Sequence, residues 1–172
     1  MLSGESMRLM YLLAITAASR SIHLSTPYFL PDTLAQQELI DAAGRGVRIQ
    51  IITVGPHTDT EVVRHASRAR WGPLLEAGIE IYEYQPTMFH SKAMTVDGVW
   101  ITVGSTNFDP RSFSLNDEAN LSYYDEEVAQ RQIEIFQQDL AHSKRVTLQQ
   151  WQQRPRSERF WDWAASIFGS QL

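Results

Sequence analysis

The chain has 172 residues, no cysteine, 43% apolar and 20% charged residues, and a formal net charge of −5. That length and composition suit one globular domain, or one lobe of a larger body, and not a disordered or fibrous chain. Disulfides and thiolate metal sites are excluded. The acidic balance weighs against a general nucleic-acid binder, which needs a basic surface to neutralise phosphates.

Residues 7–19, rich in Leu, Met and Ala, are apolar on nearly every side and predict a helix packed between other elements. The apolar run is shorter than the roughly 20 residues of a membrane span, and it lacks the basic flank and cleavage site of a signal peptide. Ser21–Ser25 reads as a strand that Thr26-Pro27 ends. Asp32 then caps a helix running to Ala43, with Gly44 and Gly46 as its stop. Val47–Val54 is β-rich. A helix is expected from Asp59 to about Ala77, its apolar side carrying Val62, Val63, Ala66, Ala69, Leu74 and Leu75. Gly78 stops it, and Ile79–Tyr84 is the next strand.

This alternation favours an α/β layered lobe, a mixed sheet flanked by helices. The pattern then changes. Met88–Val96 and Val99–Gly104 are strand-like runs joined by Asp97-Gly98, a strong hairpin signal. Ala119–Tyr124 follows as a strand and Glu126–Ala141 as a helix. The lobe is drawn over residues 1–145, and an aromatic amphipathic tail over 146–172.

The chemistry gathers around the hairpin. His90 and Lys92 are two apart, so on a strand they share a face. Ser105 and Asn107 repeat that spacing just past the second strand. One patch therefore collects an imidazole, an ammonium, a hydroxyl and a carboxamide, which together suit a phosphodiester. Lys92 and Asn107 can hold non-bridging oxygens, and His90 can attack phosphorus to give a phosphohistidine. Glu118, beside the next strand, could hold the far ring nitrogen of His90 and fix its tautomer. In-line attack puts the leaving group opposite the nucleophile, so a second acid must protonate it. Nothing else in the chain offers a matching second patch, which implies a partner lobe.

His90-x-Lys92, Asp97 and Gly104-Ser105-x-Asn107, with their intervening spacings, resemble the HKD signature of the phospholipase D superfamily. The resemblance implies paired motifs across a pseudo-twofold axis, one His as nucleophile and the other as general acid/base. It gives Lys92 and Asn107 to the phosphate and Asp97 a structural part in the hairpin. The segments 25–32, 42–47, 82–86, 107–113 and 116–118 resemble the second half of bacterial cardiolipin synthases. Those enzymes carry two motifs, and this chain has one. The second lobe is therefore either an N-terminal half or another copy of the chain.

The resemblance implies a phosphatidyltransferase working without cofactor or metal, on phosphatidylglycerol, at the bacterial inner membrane as a peripheral protein, with no nucleic-acid partner. A homodimeric HKD nuclease is one rival reading, and an inactive lobe that binds lipid or a partner is another. His23, His57, His65 and His142 lack comparable neighbours. His65, among Arg64, Arg68 and Arg70, reads as part of a solvated helix face, with a headgroup-binding patch as the alternative. In the tail, Phe160, Trp163, Ala164, Ile167 and Phe168 form a helical stripe flanked by Trp151, Trp161, Arg154, Arg156 and Arg159. That mix suits either a lipid interface or docking onto the second lobe.

Overall fold

The computed structural model describes residues 3–114 and 116–167. Its elements are α1 (Ser3–Ala17), β1 (Ser21–Ser25), α2 (Thr33–Gly44), β2 (Arg48–Val54), α3 (Glu61–Ala69), α4 (Trp71–Glu76) and β3 (Glu80–Tyr84). There follow β4 (Ala93–Val96), β5 (Trp100–Gly104), α5 (Pro110–Ser114), β6 (Asn120–Tyr124), α6 (Glu126–Ala141), β7 (Ser143–Val146), α7 (Leu148–Gln152) and α8 (Arg156–Ile167). The strands form one mixed sheet in the order β6-β5-β4-β1-β2-β3-β7. Helical crossovers leave β1, β2 and β3 parallel, whereas β4, β5, β6 and β7 pair antiparallel to their neighbours. The α/β class read from the alternation is the class observed.

Alternate residues of the central strands bury on opposite faces, which requires a helical layer on each. On one face, Ile22, Leu24, Ile49, Ile51 and Met94 pack with Tyr11, Leu12 and Ile15 of α1, Leu39 of α2, and Trp71 and Leu74 of α4. On the other, Phe136 of α6 packs with Ile52 and Phe89, and its ring lies 5.1 Å from that of His23. Burying a side chain of Phe136's size stabilises the packing of α6 by about 2–3 kcal/mol. Asp32 caps α2 by accepting from Ala35 N at 2.8 Å, and also accepts from Arg8 Nε at 2.7 Å, which ties α1 to α2.

Several expectations are corrected. The first helix is not buried all round: Leu9 and Leu13 are exposed on its outer side. The helix expected over 59–77 is two helices, interrupted at Arg70. Pro73 has no N–H to give the Ala69 carbonyl, and its ring crowds that carbonyl, so α3 cannot continue through it. Val62, expected on the apolar side, faces outward. The strand expected from Met88 begins only at Ala93, because its ladder with β1 ends where Ser25 stands opposite Ala93, and the pairing with β5 extends past that point only through the bond from Gly104 N to the Lys92 carbonyl.

The Arg-rich side of α3 is not a solvated face. His65 Nδ1 lies 2.7 Å from Asp162 Oδ1 of α8, while Arg64 reaches Glu83 at 2.9 Å and Arg70 donates to the Pro31 carbonyl. Asp162 is almost a hundred residues away in sequence, so no local pattern pairs it with His65. Residues 143–146, which straddle the line drawn between lobe and tail, form β7 on the edge of the sheet. Beyond them, α7 seats Trp151 against Gly72, where a Cβ would come within 2.5 Å of the indole. The tail stripe is described only as far as Ile167, and Phe168 lies outside the described residues.

Candidate active site

Antiparallel pairing places the start of β4, the end of β5 and the start of β6 at one end of the sheet. Ala93 stands opposite Val103, and Gly104 opposite Asn120. Two backbone bonds extend this register past the strands: Gly104 N donates to Lys92 O, and Ser105 N donates to Ala119 O. His90 and Lys92, Ser105 and Asn107, and Glu118 therefore approach from three successive segments. Gly104 is required by the closeness of the ladder, since a Cβ there would lie 2.2 Å from the Ala119 carbonyl oxygen.

His90 is exposed, and its Nε2 lies 3.2 Å from Lys92 Nζ; the same ammonium donates to the His90 carbonyl at 3.1 Å. An ammonium has no acceptor, so the contact with Nε2 needs a lone pair on that nitrogen. The ring proton then sits on Nδ1. Burial pushes the Lys92 amine below its ordinary value, and the negative charges of Glu118, Asp109 and Asp59 act against that shift. Ser105 Oγ accepts from Ala119 N at 3.1 Å, which holds the hydroxyl against the neighbouring segment. Asn107 Oδ1 is buried without a hydrogen-bond partner among the described residues. An unpaired buried carboxamide oxygen is costly, and the two ends of an amide exchange by a simple flip, so this group is open to a polar ligand. Glu118 accepts from Asn116 Nδ2 at 3.4 Å, and among the described residues it makes no hydrogen bond to His90.

Asp97 lies at the opposite end of β4. It adopts a positive φ of 55° in the hairpin, and its carboxylate accepts from Ser19 N, Ser19 Oγ, Arg20 N and Ser21 N at 2.7–2.9 Å. Those bonds hold its carboxyl below the usual range against the opposing effect of burial. Its contacts tie the turn to the start of β1.

Three residues near the site had not been singled out. The loop after β5 is bound to the loop after β1 by Leu30 N donating to Phe108 O and Phe108 N donating to Thr26 Oγ1. That arrangement carries Tyr28 toward the site, where its hydroxyl donates to Asp59 at 2.6 Å. Asp59 is also one of the carboxylates whose negative charge acts on Lys92. Asp109 is buried and caps α5 through Ser112 N at 2.7 Å; burial is the main cause of its raised pKa. Asp109-Pro110, a cap followed by Pro at the first helical position, was the available sequence signal.

The family model described as cardiolipin synthase, phospholipase-D-like domain, matches residues 11–140. The chain belongs to that family. Cardiolipin synthase from Geobacillus kaustophilus is 37% identical over 151 residues, covering 88% of this chain and 30% of the relative. Cardiolipin synthase 1 from Staphylococcus epidermidis is 35% identical over 162 residues, covering 94% and 33%. The chain thus spans about a third of the length of these curated relatives. Among solved structures, phosphatidylserine synthase from Haemophilus influenzae shares the fold with a TM-score of 0.75 at 17% identity, over 97% of this chain and 45% of that one. Nuc, a phospholipase D family member from Salmonella typhimurium, gives 0.70 at 22% identity, over 81% and 90%.

Proposed function

We propose that this phospholipase-D-like lobe supplies one half of a phosphatidyltransferase site that makes cardiolipin from phosphatidylglycerol. The observation that carries the reading is the His90–Lys92 pair, with a ring nitrogen 3.2 Å from an ammonium, to which Asn107, just past the end of the neighbouring β5, adds a carboxamide oxygen without a partner among the described residues. Lys92 turns from His90 to a phosphate oxygen when substrate enters, which frees the Nε2 lone pair to attack phosphorus. The P–N bond forms as the P–O bond to the glycerol headgroup breaks. A general acid on a second lobe protonates the departing glycerol oxygen, because the imidazole already occupies the opposite side of phosphorus.

In the second step the hydroxyl of another phosphatidylglycerol gives its proton to that same partner group and attacks phosphorus. His90 leaves unchanged, and the products are cardiolipin and free glycerol. Lys92 and Asn107 hold the non-bridging oxygens, Ser105 offers its hydroxyl to the same phosphate, and Glu118 turns to the Nδ1–H of His90 once imidazolium character develops. The protein works at the bacterial inner membrane as a peripheral protein.

The test is cardiolipin formation from phosphatidylglycerol in mixed micelles, by the chain together with whatever lobe completes its site. His90→Ala is expected to abolish both turnover and the covalent phosphatidyl adduct, a loss of at least about 10³-fold. Undiminished turnover in that variant overturns the reading.

A further inference from the structure

Helix α8 is turned inside out. Asp162, a carboxylate, is the residue it buries most completely, at 1% exposure, whereas Phe160, Trp161 and Trp163 stand 57%, 60% and 60% exposed. Its inner side is held by charge: Asp162 lies 2.7 Å from His65 and 2.8 Å from Arg154, and Glu158 pairs with Arg68 at 3.2 Å. Ala165 adds a small apolar contact with Ala66 and Leu30. Helical spacing puts Arg156, Phe160 and Trp163 on the side opposite Glu158, Asp162 and Ala165.

The outward rings form a cluster, with Phe160 5.8 Å from Trp161 and 6.1 Å from Trp163. Arg156, Arg159, Phe160 and Trp163 line a shallow open depression. The ion pairs of α8 run through Glu158 and Asp162, so neither Arg156 nor Arg159 has a salt bridge among the described residues. In a chain of net charge −5, this is a local concentration of large aromatic rings and of guanidinium groups without a salt bridge among the described residues.

From this arrangement we infer that the outer face of α8 is a seat for an anionic phospholipid surface, the rings entering the headgroup region and Arg156 and Arg159 meeting lipid phosphates. Trp is the side chain that prefers the membrane–water boundary, and Arg complements anionic headgroups. The pairings of His65 with Asp162 and Arg68 with Glu158 make α8 antiparallel to α3, so the later turns of α8 lie toward the beginning of α3. That end follows Asp59, whose carboxylate accepts from Tyr28 of the loop after β1, the loop bonded to the segment that carries Asn107 and Phe108. The lipid seat therefore flanks the end of the lobe that carries the candidate active site. The inference deepens the lipid-substrate reading and rests on it, but its test needs no turnover.

The experiment is co-sedimentation of the chain with vesicles of phosphatidylglycerol and phosphatidylcholine, and with vesicles of phosphatidylcholine alone. The chain is expected to sediment with the anionic vesicles. The triple substitution Phe160→Ser, Trp161→Ser, Trp163→Ser should weaken that partitioning at least tenfold, and Arg156→Gln with Arg159→Gln should erase the preference for the anionic vesicles. His90→Ala should bind as the wild type does, which separates loss of the seat from loss of chemistry. Quenching of wild-type tryptophan fluorescence by brominated lipid reads the same insertion without any variant. Absence of sedimentation and of quenching overturns the proposal. So does a triple variant that binds vesicles normally but changes oligomeric mass, which would make this face a protein interface.

Discussion

Asp97 and His90 belong to one short motif yet act at opposite ends of a four-residue strand. The Asp97 carboxylate gathers three backbone N–H groups and one hydroxyl, and its own backbone occupies the left-handed region. Hydrogen bonds to a charged acceptor are each worth about 1.5–3 kcal/mol. Asp97→Ala should therefore destabilise the lobe by about 3 kcal/mol, read as a lower denaturation midpoint at unchanged slope. The activity of whatever fraction stays folded should be preserved, since the site lies at the far end of β4. A variant of normal stability would show that the turn does not depend on this anchor. Spacing in the sequence could group Asp97 with the motif, but its hydrogen bonds to residues 19–21 are long-range and visible only in the fold.

At the level of elements, the sheet is stitched by polar side chains as well as by its apolar core. Glu80 of β3 accepts from Arg48 and Gln50 of the neighbouring β2 and from Tyr82 of its own strand, at 2.6–3.1 Å. Burial pushes the carboxyl up, but those three donors outweigh it and bring Glu80 down to about 2 from an ordinary 4.5. A folded-state value below the unfolded one means the stabilisation is complete above about pH 4.5 and is lost as pH falls through about 2. Glu80→Gln should cost on the order of 2 kcal/mol near neutrality, a figure reduced for the exposed Arg48. Thermal midpoints of the two proteins should converge as pH is lowered from 5 toward 2. A constant gap across that range would assign the effect to packing instead of charge.

At the scale of the whole molecule, the site is one-sided. One imidazole can serve one side of an in-line displacement, and the chain spans only about a third of its curated relatives. Turnover should therefore need a second lobe. If two copies of the chain complete each other, activity per chain should rise with protein concentration and follow the dimer population. If the complement is a different lobe, activity should appear only when that lobe is added. Concentration-independent turnover by a monomer would contradict the two-lobe mechanism. On the proposed reading the site acts on lipid and must face a membrane, and the outward aromatic side of α8 is the surface proposed to meet it.

The sequence by itself determined the local elements and the motif. Asp32 before a helical run, Asp97-Gly98 between two strands and the spaced His90, Lys92, Ser105 and Asn107 are short-range patterns whose physics is contained in neighbouring residues. The alternation of strands and helices likewise fixed the α/β class. What lay beyond reach was decided by contacts between segments distant in the chain. Where β4 begins depends on where its pairings with β1 and β5 end. The outer side of α1 is open because no described element covers it. Most of all, periodicity could find the aromatic stripe of α8 but not say which side faces the lobe. That was settled by His65, Arg68 and Arg154, which draw Asp162 and Glu158 inward and leave the rings outside. A buried carboxylate needs its charge partners more than an aromatic ring needs any particular apolar neighbour, so the ion pairs set the orientation of the helix.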